Sequence, residues 1–363
     1  MATKILVTGG TGYIGSHTVV ELQNAGFEVV IIDNLSNSNI GVLDGIEQIS
    51  GIRPAFVEGD VCDKATLSAL FEAHKDIKGI INFAASKAVG ESVEQPLKYY
   101  TNNLLSLINL LDLMPHYGVK GIVFSSSCTV YGEPDVNPID ETAPIKVATS
   151  PYGNTKQISE EIINDYIRSG AAIKSIILRY FNPVGAHPSA LIGELPNGVP
   201  NNLIPYLTQT AAGIRKQLTV FGDDYNTPDG SCIRDFIDVV DLAKAHVVAM
   251  RRMLENDQTE AVEVFNLGTG RGLSVLELID AFQRATGVAV PYVIGERRAG
   301  DIEQIWAEPT KANTVLGWRA EMPIEDTMRH AWAWQLHLQN KSPLPPKARI
   351  EAHVMQCEIV SKS

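Results

Sequence analysis

A chain of 363 residues exceeds what one hydrophobic core usually organises, so two lobes are expected. Its hydrophobic share of 45% and charged share of 20% are ordinary for a water-soluble globular protein. The net charge of −12 argues against nucleic acid or an anionic membrane surface as principal partner, so an anionic substrate must be met by locally placed Arg and Lys.

The first element is an apolar strand at 4–8 that runs straight into Gly9, Gly12 and Gly15. Gly9 permits a tight turn, Gly12 lets backbone approach phosphate oxygens, and Gly15 lets the next helix lie close to the sheet with its first-turn N–H groups facing the anion. A second apolar strand at 28–32 ends at Asp33, whose carboxylate can accept from a ribose 2′-hydroxyl and would repel a 2′-phosphate. Together these features predict NAD rather than NADP. Further apolar runs at 54–58, 79–83, 120–125 and 173–180 alternate with helix-like stretches. That alternation predicts an α/β fold, a doubly wound parallel sheet of Rossmann type with helices on both faces.

The run that begins at Gly121 ends in the hydroxyls of Ser125, Ser126 and Ser127, with Thr129 just beyond. Ligands bind outside the carboxyl ends of parallel strands, so Ser127 and Thr129 are candidates for substrate contact, although small polar residues also suit caps of the next turn. Tyr152 and Lys156, four apart after Ser150-Pro151, fall on one face of a helix. An ammonium beside a phenol favours the phenolate, and a positively charged nicotinamide would push the same way, which predicts a lowered Tyr152 pKa and a base for a substrate hydroxyl. Alone, the spacing also fits a tyrosine packed with a solvated lysine.

After Asn182 the texture changes, with Pro183, Pro188, Pro196, Pro200 and Pro205 interrupting any long periodicity. The expected division is an NAD-binding domain at 1–182 and a smaller mixed α/β substrate lobe at 183–342. A helical pattern from Arg234 to Met250 and a strand-like run at 262–267 are candidates to return to the first lobe. Residues 343–363 read as a peripheral tail. The four cysteines, Cys62, Cys128, Cys232 and Cys357, are scattered without metal-ligand spacing, which suits a reducing compartment and predicts neither metal nor disulfide. With no secretory leader and no apolar run of about 18 residues, a cytoplasmic protein with no membrane partner is expected.

The segment from Thr8 to His17, Asp33-Asn34-Leu35, Val57-Glu58-Gly59-Asp60 and Lys87-Ala88-Val89-Gly90-Glu91-Ser92 form one ordered set of motifs. The set continues through Ser125-Ser126-Ser127, Thr129-Val130-Tyr131-Gly132, Ser150-Pro151-Tyr152-Gly153 with Lys156, and Leu178 to Pro188. It closes with Pro200-Asn201-Asn202-Leu203, Arg234-Asp235 and Arg297-Arg298-Ala299-Gly300-Asp301. In this order, over residues 4 to about 340, the chain resembles the extended short-chain dehydrogenases/reductases, and within them the UDP-hexose 4-epimerases.

The resemblance implies a catalytic set of Ser127, Tyr152 and Lys156. It implies NAD contacts at Gly9, Gly12, Tyr13, Ile14, Gly15, Asp33, Asn34, Asp60, Val61, Phe83, Ala84, Lys87, Asn102, Tyr152, Lys156 and Tyr180. Contacts to the UDP-sugar fall on Lys87, Ser127, Thr129, Tyr152, Asn182, Asn202, Leu203, Arg234, Arg298, Asp301 and Ile305. The forked donors of Arg234 and Arg298 suit a diphosphate, although each alone also reads as a surface arginine. The implied reaction interconverts UDP-glucose and UDP-galactose by inversion at C4. Tyr152 removes the C4 hydroxyl proton, C4 gives hydride to NAD, and the bound 4-keto sugar turns about its anchored diphosphate and takes the hydride back. Lys87 matches the part of the motif that helps retain the cofactor.

Related sugar-nucleotide dehydratases carry an Asp-Glu pair after the hydroxyl residue, where this chain has Cys128 and Thr129, which argues against elimination of water. The Glu of the related decarboxylases is missing too. A simple alcohol dehydrogenase would not need the second-lobe pattern, and the intact Ser127, Tyr152 and Lys156 speak against a non-catalytic NAD sensor. At the family's pocket-wall position stands Ile305, smaller than Tyr and bulkier than Ser, which leaves acceptance of N-acetylated UDP-hexoses open. The bland reading of Ile305 is core packing. A homodimer through helices near 98–114 and 155–168 is also implied.

Overall fold

The computed structural model describes residues 2–298 and 300–341, so the expected tail at 343–363 and Cys357 lie outside the described residues. Six strands alternate with helices in the first half: β1 (Lys4–Thr8), α1 (Tyr13–Asn24), β2 (Glu28–Asp33), α2 (Val42–Ser50), β3 (Ala55–Glu58), α3 (Lys64–Ala73), β4 (Ile77–Asn82), α4 (Val89–Glu94), α5 (Pro96–Leu113), β5 (Gly121–Ser127), α6 (Pro151–Arg168) and β6 (Lys174–Tyr180). Then come β7 (Asn182–Val184), α7 (Leu203–Ala211), β8 (Leu218–Phe221), β9 (Ile233–Arg234), β10 (Phe236–Asp238), α8 (Val239–Leu254) and β11 (Val262–Leu267). The described chain closes with β12 (Leu273–Ser274), α9 (Val275–Thr286), β13 (Tyr292–Gly295), β14 (Gln304–Ile305) and α10 (Ile324–Lys341).

The main sheet has seven strands in the order β11-β6-β5-β4-β1-β2-β3, every neighbouring pair parallel. Its strands are apolar on both faces because helices cover both. On one face Val19 and Leu22 of α1 pack with Ile46 of α2 and with Leu242 and Met250 of α8. The other carries Leu67 and Phe71 of α3, Leu107 and Leu110 of α5, and Ile163 of α6. The order reverses at β1 and β4, and that switch point opens a crevice at the carboxyl edge.

A separate core joins Leu207 of α7, Val220 of β8, Leu278 and Phe282 of α9, and Met328 of α10. Short ladders tie this region together: β12 and β14 flank β9, β13 pairs with β8, and β10 pairs with β7. The helix expected from Arg234 starts instead at Val239. Residues 236–238 are taken up by the parallel ladder to β7, and Asp238 caps the helix by accepting from Val240 N–H at 2.8 Å. The sheet strands depart from their expected bounds by one or two residues, within the fraying of any element end.

Candidate active site

The loop after β1 is shaped by close approach. Gly9 has φ +70°, and a Cβ there would stand 2.9 Å from Ala84 N; a Cβ on Gly15 would stand 2.2 Å from Gly9 O. No other residue fits either position without moving backbone. Gly12 is the N-cap of α1 and supplies no side-chain cap, so first-turn N–H groups of the helix remain available to an anion. At the end of β2, Asp33 accepts from Thr11 N at 3.2 Å and from Leu35 N at 2.9 Å, which fixes its carboxylate at the rim of the loop. Asn34 donates to Asp60 at 3.1 Å, and Asp60 accepts from Cys62 N at 2.8 Å, with Val61 buried beside them.

After β4, Ala84 N donates to the Thr8 hydroxyl at 3.2 Å, and the Phe83 ring lies 4.7 Å from the His246 ring, with Tyr180 6.2 Å from the same histidine. Asn102 of α5 donates to Ser86 at 3.2 Å, Ile14 packs on the adjoining core, and the Lys87 ammonium stands 5.8 Å from the Tyr13 ring centroid. The carboxyl ends of β1, β2 and β4 therefore carry a glycine cradle, a fixed carboxylate and flanking aromatic rings, a donor and acceptor set that fits NAD.

Beside this cradle, α6 begins with Ser150 as N-cap, accepting from Gly153 N at 3.1 Å, and with Pro151 in its first turn. That start directs Tyr152 and Lys156 of the helix at the end of β5. Lys156 Nζ donates to Ser125 O at 2.7 Å and lies 4.9 Å from the Phe124 ring centroid and 5.9 Å from that of Tyr152. Burial pulls the Lys156 ammonium down to about 8, while Glu160 works to raise it.

Tyr152 departs from the expectation of a lowered pKa. Burial pushes its phenol up to about 12, and the Ser127 hydroxyl only partly offsets this. Lys156 is spent on the Ser125 carbonyl rather than on the phenol oxygen, so desolvation wins. Cys128 is likewise pushed up to about 12 by burial, which makes it inert as an acid or base at neutral pH. The buried Thr129 hydroxyl has no hydrogen-bond partner among the described residues, and its N–H donates to Ser127 Oγ at 3.2 Å.

The residues expected to hold a nucleotide sugar come from the short ladders and loops. Asn182 opens β7, and Asn202 precedes α7, whose first residue is Leu203. The Asn202 side chain donates to Glu194 at 2.6 Å, and the same carboxylate pairs with Lys87 at 3.3 Å. Arg234 of β9 turns back on Ile233 O at 2.8 Å. Arg298 pairs with Asp301 at 2.7 Å and lies over the Phe221 ring. Ile305 is the register partner of Arg234 in the β9–β14 ladder. It is 2% exposed on β14 and belongs to a small core with Cys128, Phe181 and Ala307, immediately behind the turn that carries Thr129.

Two acidic residues escaped the sequence reading. Glu194 joins Lys87 to Asn202, a link across 107 and 8 positions of chain that no local pattern carries. Glu160 was legible, since it continues the face of Tyr152 and Lys156 at the next helical turn.

The family model described as GDP-mannose 4,6 dehydratase matches residues 6–331. The chain is 50% identical to UDP-glucose 4-epimerase of Bacillus subtilis (strain 168), over 91% of this chain and 96% of that one. It is similar to the structure of UDP-glucose-4-epimerase from Stenotrophomonas maltophila with bound NAD and formylated UDP-arabinopyranose, with a TM-score of 0.90 and 47% identity over 94% of this chain and 100% of that one. A second similar structure, UDP-glucose 4-epimerase from Bifidobacterium longum in complex with NAD+ and UDP, gives a TM-score of 0.88 and 47% identity, covering 94% and 99% of the two chains.

Proposed function

The chain belongs to the UDP-glucose 4-epimerases, within the broader family that the GDP-mannose 4,6 dehydratase model describes, and on that premise we propose a division of labour among its residues. It is an NAD-dependent isomerase that interconverts UDP-glucose and UDP-galactose. NAD, when bound, supplies the acceptor and later the donor of the hydride at C4. Gly9, Gly12, Gly15 and the first turn of α1 receive its pyrophosphate and Asp33 its ribose, with Tyr13, Ile14, Asn34, Asp60, Val61, Phe83, Ala84, Lys87, Asn102 and Tyr180 around them.

Tyr152 takes the proton of the C4 hydroxyl and returns it to the same oxygen once the sugar has turned, with Ser127 holding that oxygen. Lys156, anchored on Ser125 O, keeps a positive charge behind the phenol. The rise of the Tyr152 pKa by burial means that the phenolate needs this charge together with that of the oxidised nicotinamide. Asn182, Asn202, Leu203, Arg234, Arg298 and Asp301 grip the uridine diphosphate, while Thr129 faces the sugar. A firm hold on the diphosphate and a loose hold on the hexose let the 4-keto sugar turn over in place.

One observation carries the reading. Tyr152, Ser127 and Lys156 meet at the end of β5 beside a dinucleotide cradle, while the two positions after Ser127 hold a thiol raised to about 12 and a hydroxyl. Neither can perform elimination, so a bound ketone is returned to alcohol. The test is incubation of purified protein with UDP-galactose, and separately with UDP-N-acetylgalactosamine, resolving the C4 epimers by chromatography. Conversion of UDP-galactose is expected without added cofactor. Absence of conversion even with NAD supplied overturns the assignment, and the second substrate decides how Ile305 shapes the pocket.

Residues 1–182, joined by about 235–268, form the NAD lobe, and the remainder up to 342 forms the UDP-sugar lobe. A homodimer through α5 and α6 is supported by Leu97, Leu105 and Ile108, which stand 79%, 39% and 45% exposed along one stripe of α5. Sedimentation as a monomer counts against it. A cytoplasmic location rests on the scattered cysteines. No helix among the described residues is long and apolar enough to cross a membrane.

A further inference from the structure

Behind the three central residues lies a buried ion pair that the epimerase reading leaves without a task. Glu160 stands one helical turn past Lys156 and two past Tyr152 on the same face of α6. Its carboxylate accepts from Ser126 Oγ at 2.5 Å, from Arg179 Nε at 3.0 Å and from Arg179 Nη2 at 2.6 Å. Ser126 and Arg179 are register partners on β5 and β6, and each immediately precedes a residue of the site, Ser127 and Tyr180. The remaining guanidinium nitrogen donates to the Tyr131 hydroxyl at 3.0 Å, which donates to Asn266 at 2.7 Å, so the turn after β5 is fixed from the same point.

Glu160 and Arg179 side chains are 8% and 9% exposed. At that depth the loss of hydration offsets most of the attraction between the charges, so the pair is weak evidence for added stability. What a fully satisfied buried network supplies instead is a single geometry. We infer that Glu160 is a positioning residue for the proton transfer, clamping the helix that carries Tyr152 and Lys156 to the strand ends that carry Ser127. The inference rests on the epimerase reading of Ser127, Tyr152 and Lys156.

The experiment uses the full chain with its NAD and UDP-galactose as the probe. Glu160→Gln alone would strand a buried guanidinium, so the test variant is the uncharged pair Glu160→Gln with Arg179→Met, accompanied by Ser126→Ala and Tyr152→Phe. The paired variant is expected to keep bound NAD and a KM within about twofold while kcat falls by about tenfold to a hundredfold, as misplacement of a catalytic group does. Ser126→Ala, which removes one tether and no charge, is expected to lower kcat by about threefold at unchanged KM. Unchanged kcat in a folded paired variant overturns the inference, and so does a proportional loss of NAD and rise in KM. Should the paired variant not fold, Ser126→Ala decides, with unchanged kcat overturning the inference. An active Tyr152→Phe overturns the underlying assignment as well, whereas an inactive Tyr152→Phe beside fully active Glu160 and Ser126 variants removes this inference alone.

Discussion

The carboxyl end of the sheet and the loops around Arg298 handle charge in opposite ways. On the sheet side Tyr152 and Lys156 are 8% and 5% exposed, and Glu160 is 6% exposed. Lys156 and Glu160 are held by hydrogen bonds to buried protein groups. On the other side Arg297 and Arg298 keep 46% and 55% of their side chains exposed and are paired with Asp224 and Asp301. Such exposed pairs contribute about 0–1 kcal/mol, so a diphosphate can take an arginine from its carboxylate at little cost. On the proposed roles, burial fixes the geometry and shifts the pKa values where bonds would be remade, while exposure leaves Arg298 free to exchange its carboxylate for a nucleotide. The first side should therefore govern kcat and the second KM.

Substitution on the buried side tests this most severely. Tyr152→Phe is expected to lower kcat by about a thousandfold, within the range for loss of a general base, with KM for UDP-galactose and bound NAD little changed. A variant that turns over normally but binds weakly would erase the distinction between the sides. Arg298→Ala is expected to do the reverse, raising KM by about tenfold to a hundredfold for loss of a charge-assisted hydrogen bond while kcat stays within about twofold. Its thermal unfolding should change little, because Arg298 is 55% exposed even though its partner Asp301 is only 15% exposed. A fall in kcat with KM unmoved would show that the exposed side also aligns the sugar.

Much of this contrast was legible in the sequence. The glycine spacing before α1 and the acid at the end of β2 specified the cradle, because turn chemistry and charge at a strand end act locally. The four-residue step from Tyr152 to Lys156 specified a shared helix face for the same reason. What escaped depended on contacts remote in the chain. The two-residue strands β9 and β14 exist only through ladders with partners remote in the chain, β9 with both β12 and β14 and Arg234 opposite Ile305, and no periodicity can appear in two residues. Helix α8 began later than its pattern suggested since residues 236–238 found a partner in β7. The burial that raises the Tyr152 pKa escaped the sequence, because spacing reveals which charge is near, whereas only the fold reveals how completely water is excluded.

Ile305 sharpens the comparison at the seam. It fills a small core with Cys128, Phe181 and Ala307, so Ile305→Tyr adds a ring where little space remains and is expected to lower stability by about 1–3 kcal/mol. If the ring displaces the turn after β5 that carries Cys128 and Thr129, any turnover of UDP-N-acetylgalactosamine should fall more than that of UDP-galactose. Equal loss for both sugars would leave Ile305 as packing alone.

The smallest effect reports on the buried side without touching chemistry. His246 presents Nε2 to the Ser125 hydroxyl at 3.2 Å and Nδ1 to Leu242 O at 2.9 Å, so it is held neutral between the sheet and α8. Burial pulls its pKa down to about 4 from an ordinary 6.5. The unfolded chain therefore binds a proton that the folded protein refuses, and stability present above about pH 6.5 is lost progressively as pH falls toward 4. Between pH 7 and pH 5.5 this one ring should account for about 1 kcal/mol, read as the difference in denaturant unfolding between the parent protein and His246→Gln. A variant that loses as much stability as the parent over that interval would show that the ring accepts a proton in place. The sheet side would then tolerate charge as the arginine side does, and the contrast between them would have to rest on geometry alone.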